Sequence, residues 1–322
     1  MRDMYYDIIG DIHGHADKLE DLLLELGYAM TNGVYRHNDR KAVYVGDFID
    51  RGTQNRRVIE IVRNMVTTRN AYAVMGNHEY NAICYHTPKS GIDWLRPHTK
   101  NKFKQHESFL AEYPIGYPDT QDVIEWFKTL PLFIDCEALP FRVIHACWDQ
   151  RKIDYAKEHY LNHNNVMSGR KLEQSAIEDE DPYSLFNIIE RLLKGVEVGL
   201  PQKPEKITFL DKDKFERSRI RAKWWGSTNA SYREIAFGYS KQTLASFPDD
   251  QRPGNREIPF YSEDEVKPVF FGHYWMRGDL ELQQENVCCV DYSAGVGGEL
   301  VCYSIENPGE GGRLNVANFT SI

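Results

Sequence analysis

Four short segments, Gly10-Asp11-Ile12-His13-Gly14, Gly46-Asp47-Phe48-Ile49-Asp50-Arg51-Gly52, Gly76-Asn77-His78-Glu79 and Gly272-His273, each close an apolar run and each begin with glycine. A hydrophobic stretch that breaks at glycine is how an α/β sheet ends a strand and presents side chains at its carboxyl edge. The side chains presented here are Asp, His and Asn, all able to ligate a cation. Any one segment alone reads as an ordinary turn or helix cap. Four in order, with a further apolar strand running into His145, place the chemistry on strand ends and require a layered fold to bring them together.

Between these segments strand and helix patterns alternate. Tyr5 to Ile9 reads as a strand, Leu19, Leu22, Leu23 and Leu26 fall at helical spacing before Gly27, and Ala42 to Val45 is the next strand. Val58, Ile61, Val62 and Met65 mark a second helix, and Ala71 to Met75 a third strand. This order predicts a parallel sheet with right-handed connections. A short helix from Val123 to Leu130 precedes two paired strands, Leu132 to Ile134 and Phe141 to His145. Val269 to Gly272, Val287 to Val290 and Leu300 to Ile305 are short strands suited to a second sheet facing the first. The expected class is α/β, two facing mixed β-sheets flanked by helices, with a helical cap insertion. Residues 1–150 and 266–322 form the expected core and 151–265 the cap, whose clearest amphipathic helix runs from Tyr183 to Lys194. The acidic run Glu178 to Asp181 reads as a solvated loop, and Gly309-Glu310-Gly311-Gly312 as a surface turn.

The 322 residues, 41% apolar, are enough for a large core. A formal charge of −9 argues against stable nucleic-acid binding and leaves phosphate recognition to metal ions and a few local arginines. No stretch reaches the roughly 18 apolar residues of a membrane span, and the first residues show no apolar leader, so the expectation is a cytoplasmic protein without a membrane partner. Six cysteines without CxxC spacing read as buried thiols.

Asp11 and His13, alternating on an extended chain end, suit one cation, with Asp47 beside them. Asn77, His145 and His273 suit a second. Asp47, with two carboxylate oxygens, is the natural bridge between ions about 3.5–4 Å apart, an arrangement that activates a shared water and neutralises phosphoryl oxygens. His78 is expected to act as a general acid oriented by Asp50, and Arg51 to grip phosphate oxygens together with Asn77 and His78. Glu79 reads as a helix cap or as a partner of Arg51, and His15 as an early-helix residue.

On these residues the sequence resembles the calcineurin-like metallophosphoesterase superfamily, and within it the phosphoprotein-phosphatase branch. The blocks GDxHG, GDxxDRG and GNHE match at Asp11/His13, Asp47/Asp50/Arg51 and Asn77/His78, followed by the His145 and His273 blocks. Val290 to Leu300 is similar to the family's closing block, with Tyr292-Ser293-Ala294 departing from it. Gly272-His273-Tyr274-Trp275 lacks the second histidine of the nuclease branches. The resemblance implies a dinuclear metal-dependent hydrolase that cleaves phosphate monoesters, of a phosphoprotein or a small molecule, by in-line attack of a metal-bridging hydroxide. It implies two divalent ions, manganese first and iron, zinc, cobalt or nickel otherwise. The alternative is a nucleoside polyphosphate pyrophosphohydrolase of the symmetrical diadenosine tetraphosphate type. A metal-binding scaffold without turnover is the remote one, and the presence of His78, Asp50 and Arg51 speaks against it. Arg221 or Lys223 is a candidate second phosphate ligand. Arg96, His98, Lys100, Lys102, Lys104 and His106 form a basic stretch, read as a solvated face or as a rim for additional substrate phosphates.

Overall fold

The computed structural model describes residues 4–89, 93–202, 206–211, 214–254, 258–305 and 313–322. The Gly309–Gly312 turn lies outside them. Tyr5–Ile9, Arg40–Tyr44 and Ala71–Ala73 pair in parallel, linked by the helices Ala16–Glu25 and Asn55–Thr67. Each helix buries the leucine or valine stripe that its sequence spacing announced: Leu19, Leu22 and Leu23 on the first, Val58, Ile61, Val62 and Met65 on the second.

The second sheet runs Val287–Cys289, Val269–Phe271, Arg142–Ile144, Phe133–Ile134. Glu299–Ile305 is not part of it. That strand joins the first sheet instead, antiparallel to Tyr5–Ile9 with Ile8 opposite Tyr303, and carries Asp291–Tyr292 and Phe319–Ser321 on its other side. Burial on both faces explains the placement, since Leu300 through Tyr303 are all buried, as an interior strand requires. Between the sheets Tyr6, Ile8, Val43 and Val45 meet Phe141, Val143 and Phe270 in a closed apolar cluster, with Tyr6 edge-on to Phe141 at 5.0 Å. This layer holds both sets of strand ends at one edge of the sandwich.

Residues 151–265 carry the helices Lys171–Ser175, Leu185–Lys194, Tyr232–Ile235 and Lys241–Ala245. They also carry two antiparallel pairs that the charge pattern does not indicate, Val196–Gly199 with Arg219–Ala222 and Phe209–Leu210 with Glu216–Arg217. Helix Leu185–Lys194 begins at Ser184, whose side chain accepts the Asn187 N–H, and buries Leu185, Ile188, Ile189, Leu192 and Leu193. The interval is tied to the core beside His145: Ala146 N–H donates to Leu192 O at 3.1 Å, and Trp224 Nε1 donates to Ala146 O at 2.8 Å. The Glu178–Asp181 run is exposed loop. Five cysteines are buried free thiols, and Cys136 is exposed. Among the described residues no helix is long and apolar enough to cross a membrane.

Candidate active site

All six candidate ligands and the three candidate catalytic residues lie at one edge of the sandwich. Asp11 and His13 follow the first strand, Asp47, Asp50 and Arg51 the second, and Asn77 and His78 open the helix Asn77–His86. His145 and His273 follow strands of the other sheet. Two tight ligand groups share Asp47: His13, Asp47 and His78, and Asp47, His145 and His273, the ligand atoms of each within 4.8 Å of one another. Asn77 Oδ1 joins the second group, 2.7 Å from His273 Nδ1 and 3.1 Å from His145 Nε2.

The backbone here departs from extended geometry. His13, Asp47, Asp50, Arg51 and His273 have φ between 49° and 71°. Asp11 and His13 therefore sit on a tight turn beyond the strand rather than alternating along it. Left-handed backbone at non-glycine residues costs on the order of 1–3 kcal/mol each and persists only where the surroundings hold it. Glu79 is one such support. Fully buried, it accepts the N–H groups of Asp47 at 2.8 Å, Phe48 at 2.8 Å and Gly76 at 3.0 Å. It thus caps its helix and clamps the Asp47 turn, and takes no part in holding Arg51. His15 occupies the N-cap position of the first helix.

Two of the imidazoles are oriented by main-chain carbonyls. His13 Nδ1 faces Ile49 O at 3.0 Å and His145 Nδ1 faces Val45 O at 2.8 Å, which places the hydrogen on Nδ1 and turns the Nε2 lone pair toward Asp47. His13 Nε2 lies 3.6 Å from Asp47 Oδ2, and His145 Nε2 lies 3.3 Å from Asp47 Oδ1. Burial lowers the His13 pKa to about 3, so this ring is neutral and free to ligate. Asp11 accepts the His273 N–H through Oδ2 at 3.0 Å. Burial, with Asp291 and Asp47 nearby, raises its pKa well above the usual carboxylate range. Two buried atoms, Asp11 Oδ1 and His13 Nε2, have no hydrogen-bond partner. Unpaired buried polar atoms of this kind are costly, and together with neighbouring carboxylates, imidazoles and an amide they fit divalent cations.

On the open side, His78 Nδ1 is 2.5 Å from Asp50 Oδ2. Burial works against charge on His78, but Asp47 and Asp50 outweigh it and the pKa is raised. The His78 N–H, at the helix N-terminus, donates to Asp47 Oδ1 at 2.9 Å. A cavity of about 680 Å³ opens over Asp47, Asn77, His78 and His273, with Arg51, Arg96, Lys104 and Arg221 among its walls. The Arg51 guanidinium lies over the Trp275 ring, 4.2 Å from its centroid. Arg221 donates to His273 Nε2 at 3.3 Å, whereas Lys223 does not line this cavity. Of the basic stretch, Arg96, Lys104 and the largely buried His106 border the cavity, and His98 and Lys102 border an adjoining groove.

Asp291 and Asn81 escape sequence reading, whereas Arg96 belongs to the basic stretch read as a solvated face or a rim. Asp291 is buried beside Asp11 and accepts the N–H groups of Trp275 at 2.7 Å and Ser293 at 2.9 Å. Asn81 and Arg96 line both the main cavity and its neighbouring grooves. A signal for His106 existed, since it stands three and seven residues before Phe109 and Tyr113, the spacing of one helix face.

A two-sheet sandwich whose strand ends converge on a shared carboxylate and flanking imidazoles defines a metal-dependent hydrolase of the phosphoesterase class. The chain belongs to the calcineurin-like phosphoesterase family, whose profile matches residues 4–277. It is similar to a bis(5'-nucleosyl)-tetraphosphatase PrpE (asymmetrical) of Oceanobacillus iheyensis, 49% identical over 76 residues, 23% of this chain and 30% of that protein. It is also similar to the protein of that name from Bacillus mycoides, 48% identical over 77 residues, 23% of this chain and 31% of that one. The chain thus spans under a third of the length of these curated relatives. A solved cold-active protein tyrosine phosphatase shares the fold with a TM-score of 0.51 and 16% identity, the match covering 94% of this chain and 74% of that one.

Proposed function

We propose that this protein hydrolyses phosphate monoesters at the cavity over Asp47, the main support being that Asp47, which both ligand groups share, opens onto the same space as His273, His78, Arg51 and Arg221. Asp11, His13 and Asp47 would hold one divalent ion, and Asp47, Asn77, His145 and His273 a second, manganese before iron, zinc, cobalt or nickel. Bound there, the ions supply positive charge for phosphoryl oxygens and acidify an attacking water. The side chains do the rest. Arg51 and Arg221 grip phosphoryl oxygens from two sides, Arg51 held by Trp275. As the P–O bond to the leaving alcohol breaks, its oxygen takes the Nε2 proton of His78, and Asp50 stabilises and orients that imidazole through Nδ1. Residues 151–265 act as a cap that supplies Arg221 and narrows access, which favours a compact substrate. Buried free thiols suit a reducing, cytoplasmic location.

A second reading, cleavage of a nucleoside polyphosphate, has its own support. The curated relatives are named asymmetrical tetraphosphatases, and the cavity wall holds Arg96 and Lys104 beyond the arginines needed for one phosphate. Catalytic efficiencies of the Mn²⁺-loaded protein on p-nitrophenyl phosphate, a phosphoserine peptide and diadenosine tetraphosphate separate the two. The monoester reading predicts that at least one monoester is turned over at least as well as the dinucleotide. A dinucleotide preferred by orders of magnitude would replace it with the second.

A further inference from the structure

The helix Lys100–Glu112 lies behind the Asp50 turn and grips it at two places. At its end, Glu112 accepts the Asn55 N–H at 2.7 Å, Asn55 Nδ2 at 2.7 Å and the Arg56 N–H at 2.8 Å. Asn55 Oδ1 in turn accepts the Asp50 N–H at 2.8 Å. At its middle, His106 Nδ1 stands 2.8 Å from Asp50 Oδ1, while the other carboxylate oxygen takes His78 Nδ1. Burial opposes ionisation of Asp50, but the two imidazoles hold its carboxyl well below the usual range. A carboxylate only accepts, so both Nδ1 atoms are donors.

One bond to His78 would leave the carboxylate plane free, because this terminal torsion is broad. The second bond fixes the plane, and with it the imidazole it supports. His106 is itself rigidly placed. It is 5% exposed, stacked on Phe109 at 4.8 Å, and its Nε2 lies 3.3 Å from His86 Nε2.

We infer that His106 is a positioning residue for phosphoester cleavage: by fixing Asp50 it sets the direction in which His78 presents Nε2 to the leaving oxygen. The inference rests on the phosphoesterase reading. His106 borders the cavity but is almost fully buried, with Nδ1 on Asp50 and Nε2 facing His86, so its effect falls on the step that needs an acid. Loss of a supporting side chain of this type costs about 10- to 100-fold, and an acid matters in proportion to the basicity of the leaving group.

The test measures kcat and KM of His106→Phe, His106→Asn and His106→Gln on phenyl phosphate, a poor leaving group, and on 2,4-dinitrophenyl phosphate, a good one, with metal content and melting checked. The expected result for His106→Phe is a kcat on phenyl phosphate lower by about 10- to 100-fold, KM within about twofold, and less than about threefold change on the dinitrophenyl ester. Asn carries its amide nitrogen at the position of Nδ1 and restores the phenyl phosphate rate, while Gln, one methylene longer, does not. If the Phe variant does not fold, the Asn against Gln comparison carries the test alone. Equal losses on both esters, or no loss on phenyl phosphate, would overturn the role of His106. A parent protein inactive on both would remove the reaction itself, an outcome distinct from an active parent matched by His106→Phe.

Discussion

His78 stands where two functions meet, and one substitution separates them. Its N–H holds Asp47, its Nδ1 rests on Asp50, and its Nε2 lies 3.9 Å from Asp47 Oδ2 at the cavity floor. His78→Asn keeps the main-chain bond and deletes Nε2. Removing a general acid costs about 100- to 10,000-fold, so kcat on p-nitrophenyl phosphate falls by that range while elemental analysis finds unchanged metal. Loss of metal in this variant would identify His78 as a ligand instead. Gly272 tests the other side of the centre. A Cβ built there would sit 2.0 Å from Asp11 Oδ1, and one at Gly76 would sit 2.2 Å from Asp47 Oδ1. These two glycines are therefore clearances for the carboxylates, whereas Gly10 and Gly46, which open the other two motifs, make room for the main chain at Val290 and Gly76. Gly272→Ala is expected to displace Asp11 and lower the bound metal by about one ion per chain; unchanged stoichiometry would remove Asp11 from the ligand set.

Elements differ in how plainly their sequences declare them. The first three strands and the first helix are legible because their apolar periodicity ends at glycine, the second helix because of its apolar stripe alone, and the candidate site residues are legible because they stand at the strand endings. Glu299–Ile305 carries the same apolar signature as the second-sheet strands, and only pairing with Tyr5–Ile9, some 300 residues away in sequence, decides its sheet. The Ala29–Thr31 and Val34–Arg36 hairpin had a local signal in Asn32-Gly33, whose φ values of 52° and 79° suit a type I′ turn. Helix Lys100–Glu112 was masked by charge: its lysines face outward and hide the buried positions His106 and Phe109. Glu112 is one of its fastenings. Glu112→Gln exchanges one accepting oxygen for an amide that faces an N–H donor, which should cost about 1–3 kcal/mol. Urea unfolding measures it, and a midpoint unchanged from the parent would show that the clamp adds nothing to stability.

At the scale of the whole molecule, charge distribution decides what the centre can hold. Asp11, Asp47 and Asp291 are buried within reach of one another, and like charges enclosed without cations oppose folding. Divalent ions that bind only the folded chain stabilise it by about 2.7 kcal/mol at a hundredfold excess over Kd. Chelation is accordingly expected to lower Tm and Mn²⁺ to restore it in a concentration-dependent way; an identical Tm in both states would mean that the buried carboxylates are compensated by protein groups alone. The cavity carries the complementary charge. A chain of net charge −9 places Arg51, Arg96, Lys104 and Arg221 around one opening, so anions meet a local positive field inside an overall negative surface. Only part of the basic stretch contributes: Lys104 lines the main cavity and Lys102 its neighbour. The double substitution Lys102→Ala, Lys104→Ala should therefore raise KM for diadenosine tetraphosphate several-fold, more at low than at high salt because exposed charges are screened, and leave KM for p-nitrophenyl phosphate unchanged. Equal shifts for both substrates would mean that these lysines shape the cavity rather than read additional phosphates.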